Sequence, residues 1–182
     1  MRIISGRAGG RSIDTLSGSD IVRPTSARVK EGVFSSIQFM IEGRRFLDLF
    51  AGSGQMGLEA LSRGAAHAVF VDSNKTSVSV IKNNLIKTGL SAQATVVNTD
   101  SVSFAAACRD KFDIIFLDPP YGSGLLQTTL PLVEKLMNTG GKIICESSLD
   151  EELPENIGDF SVYKNYRYGK IKITAYVHNS TL

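Results

Sequence analysis

Asp48-Leu49-Phe50-Ala51-Gly52-Ser53-Gly54-Gln55-Met56-Gly57 is the stretch that decides the fold of this 182-residue chain. Residues 46–50 have a short buried-strand pattern, Phe-Leu-Asp-Leu-Phe, and the residues from Gln55 to about Arg63 carry a helical pattern. Between them Gly52, Gly54 and Gly57 spell G-x-G-x-x-G, and Asp72 closes the strand that follows. Glycine allows the sharp strand-to-helix turn and lets a ligand approach the backbone. An acid at the second strand end can accept hydrogen bonds from two ribose hydroxyls. The constellation points to an adenosine-containing cofactor without saying which one. Asp48 narrows the choice. A dinucleotide sets its pyrophosphate on this turn, where a carboxylate would repel it. S-adenosylmethionine has no phosphate and carries a sulfonium and an ammonium, which a carboxylate attracts.

Working outward, strand and helix patterns alternate. Strands are expected at 68–71, 94–97, 112–117 and 142–145. Helices are expected through Val78, Ile81, Leu85 and Ile86, near 101–108 and over about 124–137. That alternation predicts an α/β, doubly wound, mostly parallel sheet. The tail differs. Residues 160–166 and 170–177 alternate in period two around Tyr168-Gly169 and predict an antiparallel hairpin. Upstream, two short strands are expected around a turn at 6–10. A helix follows from Arg23-Pro24-Thr25, capped by Thr25, with Val29, Val33, Phe34, Ile37 and Ile41 on one face and Gly43 at its end. The chain thus reads as an N-terminal hairpin and helix over 1–42, then a larger domain over 43–182.

Asp118-Pro119-Pro120-Tyr121, at the end of the fourth strand, carries the second chemical signal. The amino nitrogen of a base is a poor nucleophile because its lone pair is delocalised into the ring. The Asp118 carboxylate and the Pro119 carbonyl can each accept one amine hydrogen and orient that pair. Pro119 and Pro120 restrict the backbone so that the carbonyl direction is fixed. Tyr121 offers a face on which a flat base can stack. In a doubly wound sheet the fourth strand lies beside the first, so both signals converge at the strands' carboxyl ends. Asp100 can bond the adenine amine or simply cap a helix. Glu146 can face the same cleft or stand as a solvated loop acid. His67 and His178 read as structural or surface residues, and Tyr163, Tyr166 and Tyr168 as hairpin packing.

Net charge is +2, too small by itself to predict a nucleic-acid partner, but it is unevenly spread. Residues 1–31 carry +3 and the remainder −1. Arg7, Arg11, Arg23, Arg28 and Lys30 are therefore candidates for a phosphate-contacting arm. Cys108 and Cys145 match no metal spacing and suit a reducing compartment, so no metal is expected. No run approaches a membrane span, and residues 1–6 lack the apolar core of a signal peptide. A soluble cytoplasmic protein is expected.

These residues resemble a known family. The blocks 46–54 (Phe-Leu-Asp-Leu-Phe-Ala-Gly-Ser-Gly) and 57–65 (Gly-Leu-Glu-Ala-Leu-Ser-Arg-Gly-Ala), with Asp118 to Tyr121, are similar to the RsmD-type methyltransferases of bacteria. Arg23-Pro24-Thr25 with Arg28, Glu31 and Phe34 resembles that family's N-terminal signature. Residues 2–6 with Arg11 resemble its opening hairpin, and Tyr168-Gly169 its tail. The resemblance implies a Rossmann-like class I methyltransferase sheet of seven strands, one of them reversed. It implies S-adenosylmethionine as cofactor, S-adenosylhomocysteine as product, and methylation of a guanine 2-amino group in 16S ribosomal RNA. The substrate would be a 30S subunit or an assembly intermediate, met by a monomer. The cofactor site then falls on Asp48, Phe50, Ala51, Gly52, Ser53, Gly54, Asp72, Asp100, Ser101 and Asp118, and the catalytic loop on Asp118, Pro119, Pro120 and Tyr121. Asn84 matches a family asparagine read as structural. Ser26-Ala27 and Gln55-Met56 depart from the family pattern without touching this chemistry.

Adenine amines in DNA or RNA and a protein glutamine amide are also planar amino groups, so the loop alone does not separate them. A non-catalytic RNA-binding module and a nicotinamide oxidoreductase are further alternatives. The intact Asp118 and glycines count against the first, and Asp48 with the double proline against the second.

Overall fold

The computed structural model describes residues 1–16 and 26–181. Five parallel strands run through its middle: β1 (Arg45–Asp48), β2 (His67–Asp72), β3 (Ala94–Asn98), β4 (Phe112–Leu117) and β5 (Met137–Ser148). The tail adds β6 (Asn156–Ile157), β7 (Phe160–Tyr168) and β8 (Ile171–His178), giving the order β3-β2-β1-β4-β5-β8-β7-β6. The doubly wound sheet is as expected, but it has eight strands, and both β8 and the short β6 run against the parallel five. The additional strand is two residues long, too short for alternation to reveal in sequence.

The parallel strands are apolar on both faces because helices cover both. Phe46, Ile114 and Phe116 point to one side, where they meet α1 (Ala27–Ile37), α2 (Gln55–Ser62) and α3 (Lys75–Thr88). Leu47, Ile115 and Leu117 point to the other, under α4 (Ser101–Ala107) and α5 (Leu125–Glu134). Among the described residues no helix is long and apolar enough to cross a membrane.

Several local expectations change. Thr25 lies outside the described residues, and the cap of α1 is Ser26, whose hydroxyl accepts from the Val29 amide at 3.3 Å. The helix stops at Ile37, yet Ile41 beyond it remains buried in the same core. Ile86 is 72% exposed, not on the core face. Val78, Ile81 and Leu85 already fill the inner stripe of α3, and the residue after Leu85 turns about 100° away. The first residues form one bridge, Arg2 to Ser12, in place of two strands. Beside that bridge Glu59 accepts from the amides of Ile4 and Ser5 at 2.8 and 3.0 Å. Ile3, Ala8 and Ile13 are buried in one cluster with Phe46 and Phe70, so the N-terminal segment shares the core of the sheet.

Candidate functional site

The three glycines of the β1–α2 turn perform different tasks. Gly57 lets α2 lie against β2: a β-carbon there would fall 2.2 Å from the Phe70 ring. Gly52 has φ +55°, and a β-carbon on it would meet nothing within 4 Å. It borders a cavity of about 310 Å³ at the carboxyl ends of the strands, within the size range of small-molecule sites. The missing side chain therefore leaves open space at the cavity wall. Leu16, Leu49, Phe50 and Val102 supply apolar surface, while Asp72, Asp100 and Asp118 supply carboxylates. The described lining contains no lysine or arginine. Such a wall suits a flat, partly apolar ligand bearing positive charge and, in its described residues, offers no cation to a pyrophosphate.

Asp72 is held in place. Its two oxygens accept from the Gly52 and Asn74 amides, both at 2.8 Å. Asp100 is the helix cap of its second reading, accepting from the Ser103 amide at 2.8 Å at the start of α4, and it also lines the cavity. The bonds from Ser103 hold its carboxyl below the usual range. Ser101, Phe50, Asp118 and Pro120 line the same space, whereas Asp48, Ala51, Ser53, Gly54, Pro119 and Tyr121 are not on its described wall.

Asp48 is buried beneath the turn. Gly54, the residue that starts α2, has no side chain with which to cap it, and Asp48 takes over by accepting from the Gly57 amide at 2.9 Å. Burial pushes its pKa up from 3.8 to about 7, against the pull of the Gly57 bond. A carboxyl with a raised folded-state pKa contributes stability that is complete below its unfolded value and fades as pH rises through the folded one. Asp48→Asn removes this titration. We expect the wild type to lose stability relative to Asp48→Asn between the ordinary aspartate range and about 7, by at most about 1.4 kcal/mol per pH unit. Urea denaturation across that interval checks this; parallel stability profiles would contradict it.

The Asp118–Tyr121 loop separates two cavities. Asp118 and Pro120 face the one just described, while Tyr121 helps line a second of about 450 Å³ with Ser26, Glu146, Tyr168 and Lys170. Tyr121 is 47% exposed, and its hydroxyl donates to Glu146 Oε1 at 2.7 Å. Glu146 is the acid that sequence left open between cleft and loop. It is buried, and burial raises its pKa against the Tyr121 bond.

Leu16, Asn74 and Ser77, which no sequence motif marks, also line the first cavity. Asn84 explains how the N-terminal segment reaches it. This buried amide donates to the carbonyls of Asp14 and Ser53 at 2.9 and 3.0 Å and accepts from the Asp14 amide at 2.7 Å, tying the glycine turn to the chain just before Leu16.

Of the five cations expected on an RNA-facing arm, Arg7, Arg11 and Arg28 are exposed, and Arg23 lies outside the described residues. Arg11 also donates to the Thr88 carbonyl at 2.6 Å. Lys30 must be corrected: it is 0% exposed, with its ammonium 3.2 Å from Glu59 and 2.9 Å from the Arg2 carbonyl. A buried ammonium needs such partners, and these hold it inside the core. Its charge is legible in sequence, but its direction on α1 is not.

Residues 1–177 match the family described as Conserved hypothetical protein 95. The chain is 40% identical over 181 residues to YlbH of Bacillus subtilis (strain 168), provisionally named an rRNA methyltransferase, covering 97% of this chain and 98% of that protein. It is 35% identical over 179 residues to ribosomal RNA small subunit methyltransferase D of Escherichia coli (strain K12), covering 97% and 89%. A solved Escherichia coli structure, provisionally named methyltransferase yhhF, superposes with a TM-score of 0.88 at 34% identity, covering 98% and 97%.

Proposed function

The chain belongs to the RsmD family of methyltransferases, and from that premise we propose that it methylates the 2-amino group of a guanine in 16S ribosomal RNA, using S-adenosylmethionine. One observation carries the reading: the Asp118–Tyr121 loop is a wall common to two cavities, one with the composition of a cationic-nucleoside site and one bordered by an exposed aromatic ring. The relatives' names support ribosomal RNA as the substrate class.

When bound, the cofactor supplies an electrophilic methyl group on a positively charged sulfur. Asp72, fixed by the Gly52 and Asn74 amides, would hold the ribose hydroxyls. Asp100 and Ser101 would meet the adenine, with Phe50 and Leu49 as its apolar bed. Asp118 and the Pro119 carbonyl accept the two amine hydrogens of the base and turn the nitrogen lone pair out of the ring plane toward the first cavity. The Tyr121 ring stacks on the base from the other side of the loop. The Asp118 carboxylate would receive the proton that the amine sheds.

Residues 1–42, ahead of the domain over 43–182, are the RNA-facing extension in this reading. Arg7, Arg11 and Arg28 would meet phosphates. In the Arg7→Ala, Arg11→Ala, Arg28→Ala triple variant, the slope of log affinity for ribosomal RNA against log salt should flatten by about 2–3, near one unit per lost contact. An unchanged slope would contradict the arm.

The decisive test offers labelled S-adenosylmethionine to 30S particles from cells lacking the protein, to naked ribosomal RNA, to DNA and to a release factor. Nucleoside mass spectrometry should find N2-methylguanosine in small-subunit RNA. Label confined to protein, or N6-methyladenine as the product, overturns the reading.

A further inference from the structure

The second cavity holds a group that the transfer chemistry above leaves unused. Glu146, on β5, is 3% exposed. Its Oε1 is engaged by the Tyr121 hydroxyl, while Oε2 is equally dry and has no hydrogen-bond partner among the described residues. An unpaired carboxylate oxygen kept from water is costly, and folds retain such atoms where a ligand satisfies them. The cavity's cation, Lys170, makes no ion pair with Glu146 among the described residues and sits in the β7–β8 turn. What Oε2 lacks is a hydrogen-bond donor, which a ligand in the cavity lined by Tyr121 and Tyr168 would supply.

Position narrows that donor. Leu117 and Cys145 are register partners on parallel β4 and β5, and Asp118 and Glu146 are the residues that follow them. Asp118, just past the end of β4, thus stands beside Glu146 within β5, on backbones about 4.8 Å apart in a sheet. Asp118 lines the first cavity and Glu146 the second. On the pairing edge of guanine the 2-amino group is flanked by the ring N1–H, a second donor. On adenine and cytosine the ring nitrogen beside the amine is a bare acceptor, which a carboxylate repels. Asp118, Pro119 and Tyr121 treat all planar amines alike, so selection among bases must come from another group.

We propose that Glu146 selects the base: Oε2 accepts the N1–H of a guanine whose 2-amino group lies against Asp118, while the Tyr121 hydroxyl holds Oε1 and aims the carboxylate. This inference rests on the guanine reading above. Glu146 is then a specificity-determining residue, and Tyr121 acts both as a stacking face and as the positioning residue for the carboxylate.

The test uses the full chain and particles from cells lacking it, with the methylated nucleotide first mapped. That nucleotide is then presented either as guanine or as 2-aminopurine, which keeps the 2-amino group but has no N1–H. Glu146→Gln should lower kcat/KM on guanine by about 10- to 100-fold, the worth of one hydrogen bond to a charged group. S-adenosylhomocysteine affinity should stay within about threefold, and the preference for guanine over 2-aminopurine should shrink by the same factor as kcat/KM. Tyr121→Phe keeps the ring and loses only the hydroxyl. It should move both readouts in the same direction by a smaller factor, and it serves if Glu146→Gln does not fold. Wild-type kcat/KM on guanine in these variants, or an undiminished preference, overturns the assignment. If the wild-type protein makes no N2-methylguanosine at all, the guanine reading itself has failed and this inference falls with it.

Discussion

Asp118→Ala is expected to lower turnover by about 10²- to 10⁴-fold, the range associated with a positioned proton-accepting group, while S-adenosylhomocysteine affinity changes by less than about tenfold. The separation follows from where Asp118 stands. It lies on the wall of the first cavity, but in the proposed reading the ribose is held by Asp72, whose carboxylate is fixed by two backbone amides. Losing Asp118 leaves that anchorage intact and removes an acceptor for the amine hydrogens. The nitrogen lone pair then stays in conjugation with the ring, and no group receives its proton. Asp118→Asn retains an acceptor oxygen without the charge and should fall between wild type and alanine. Single-turnover methyl transfer with calorimetric titration of S-adenosylhomocysteine checks both halves. A variant that binds cofactor normally and turns over normally would remove Asp118 from the chemistry.

The fold was legible wherever burial is two-sided and periodic. Residues 112–117 read in sequence as a buried strand, apolar but for Asp113, and they form β4 with the same ends. Legibility failed where tertiary partners override local pattern. Lys30 has the composition of a surface cation, yet Glu59 and the Arg2 carbonyl draw it inside. The first residues have a hairpin's composition, yet they form a single bridge, and the Ile4 and Ser5 amides bond to distant Glu59. Glu59 itself sits within the block 57–65 and gives no local sign of such a role. The candidate site divides the same way. The glycine turn, Asp72 and the Asp118 loop are contiguous motifs whose spacing carries the chemistry. Leu16 and Glu146 reach their cavities from distant parts of the chain and belong to no motif. Asp48 is intermediate: its charge was legible, but its bond to Gly57 required knowing that α2 begins on a glycine with no capping side chain.

Gly52→Val is expected to abolish detectable S-adenosylhomocysteine binding. Because a β-carbon at this position would meet no protein atom within 4 Å, the valine side chain extends into space that the ligand needs. The backbone also resists the change: φ is +55°, a region β-branched residues avoid, at a cost of about 1–3 kcal/mol. The unliganded variant should therefore unfold somewhat earlier, which makes stability alone an ambiguous readout. The ligand-induced shift is the cleaner one. At about 100 times its dissociation constant, S-adenosylhomocysteine should stabilise the wild type by about 2.7 kcal/mol, and the valine variant by nothing measurable. Gly57→Ala supplies the contrast within the same motif. Its methyl would fall 2.2 Å from the Phe70 ring, so it should damage packing of α2 on β2. Whatever folded protein remains should still respond to ligand. Two glycines five residues apart would then fail in opposite ways, one in binding and one in folding. A wild-type ligand shift in Gly52→Val would mean that the cofactor does not lie against this turn. The assignment of the first cavity would then have to be abandoned.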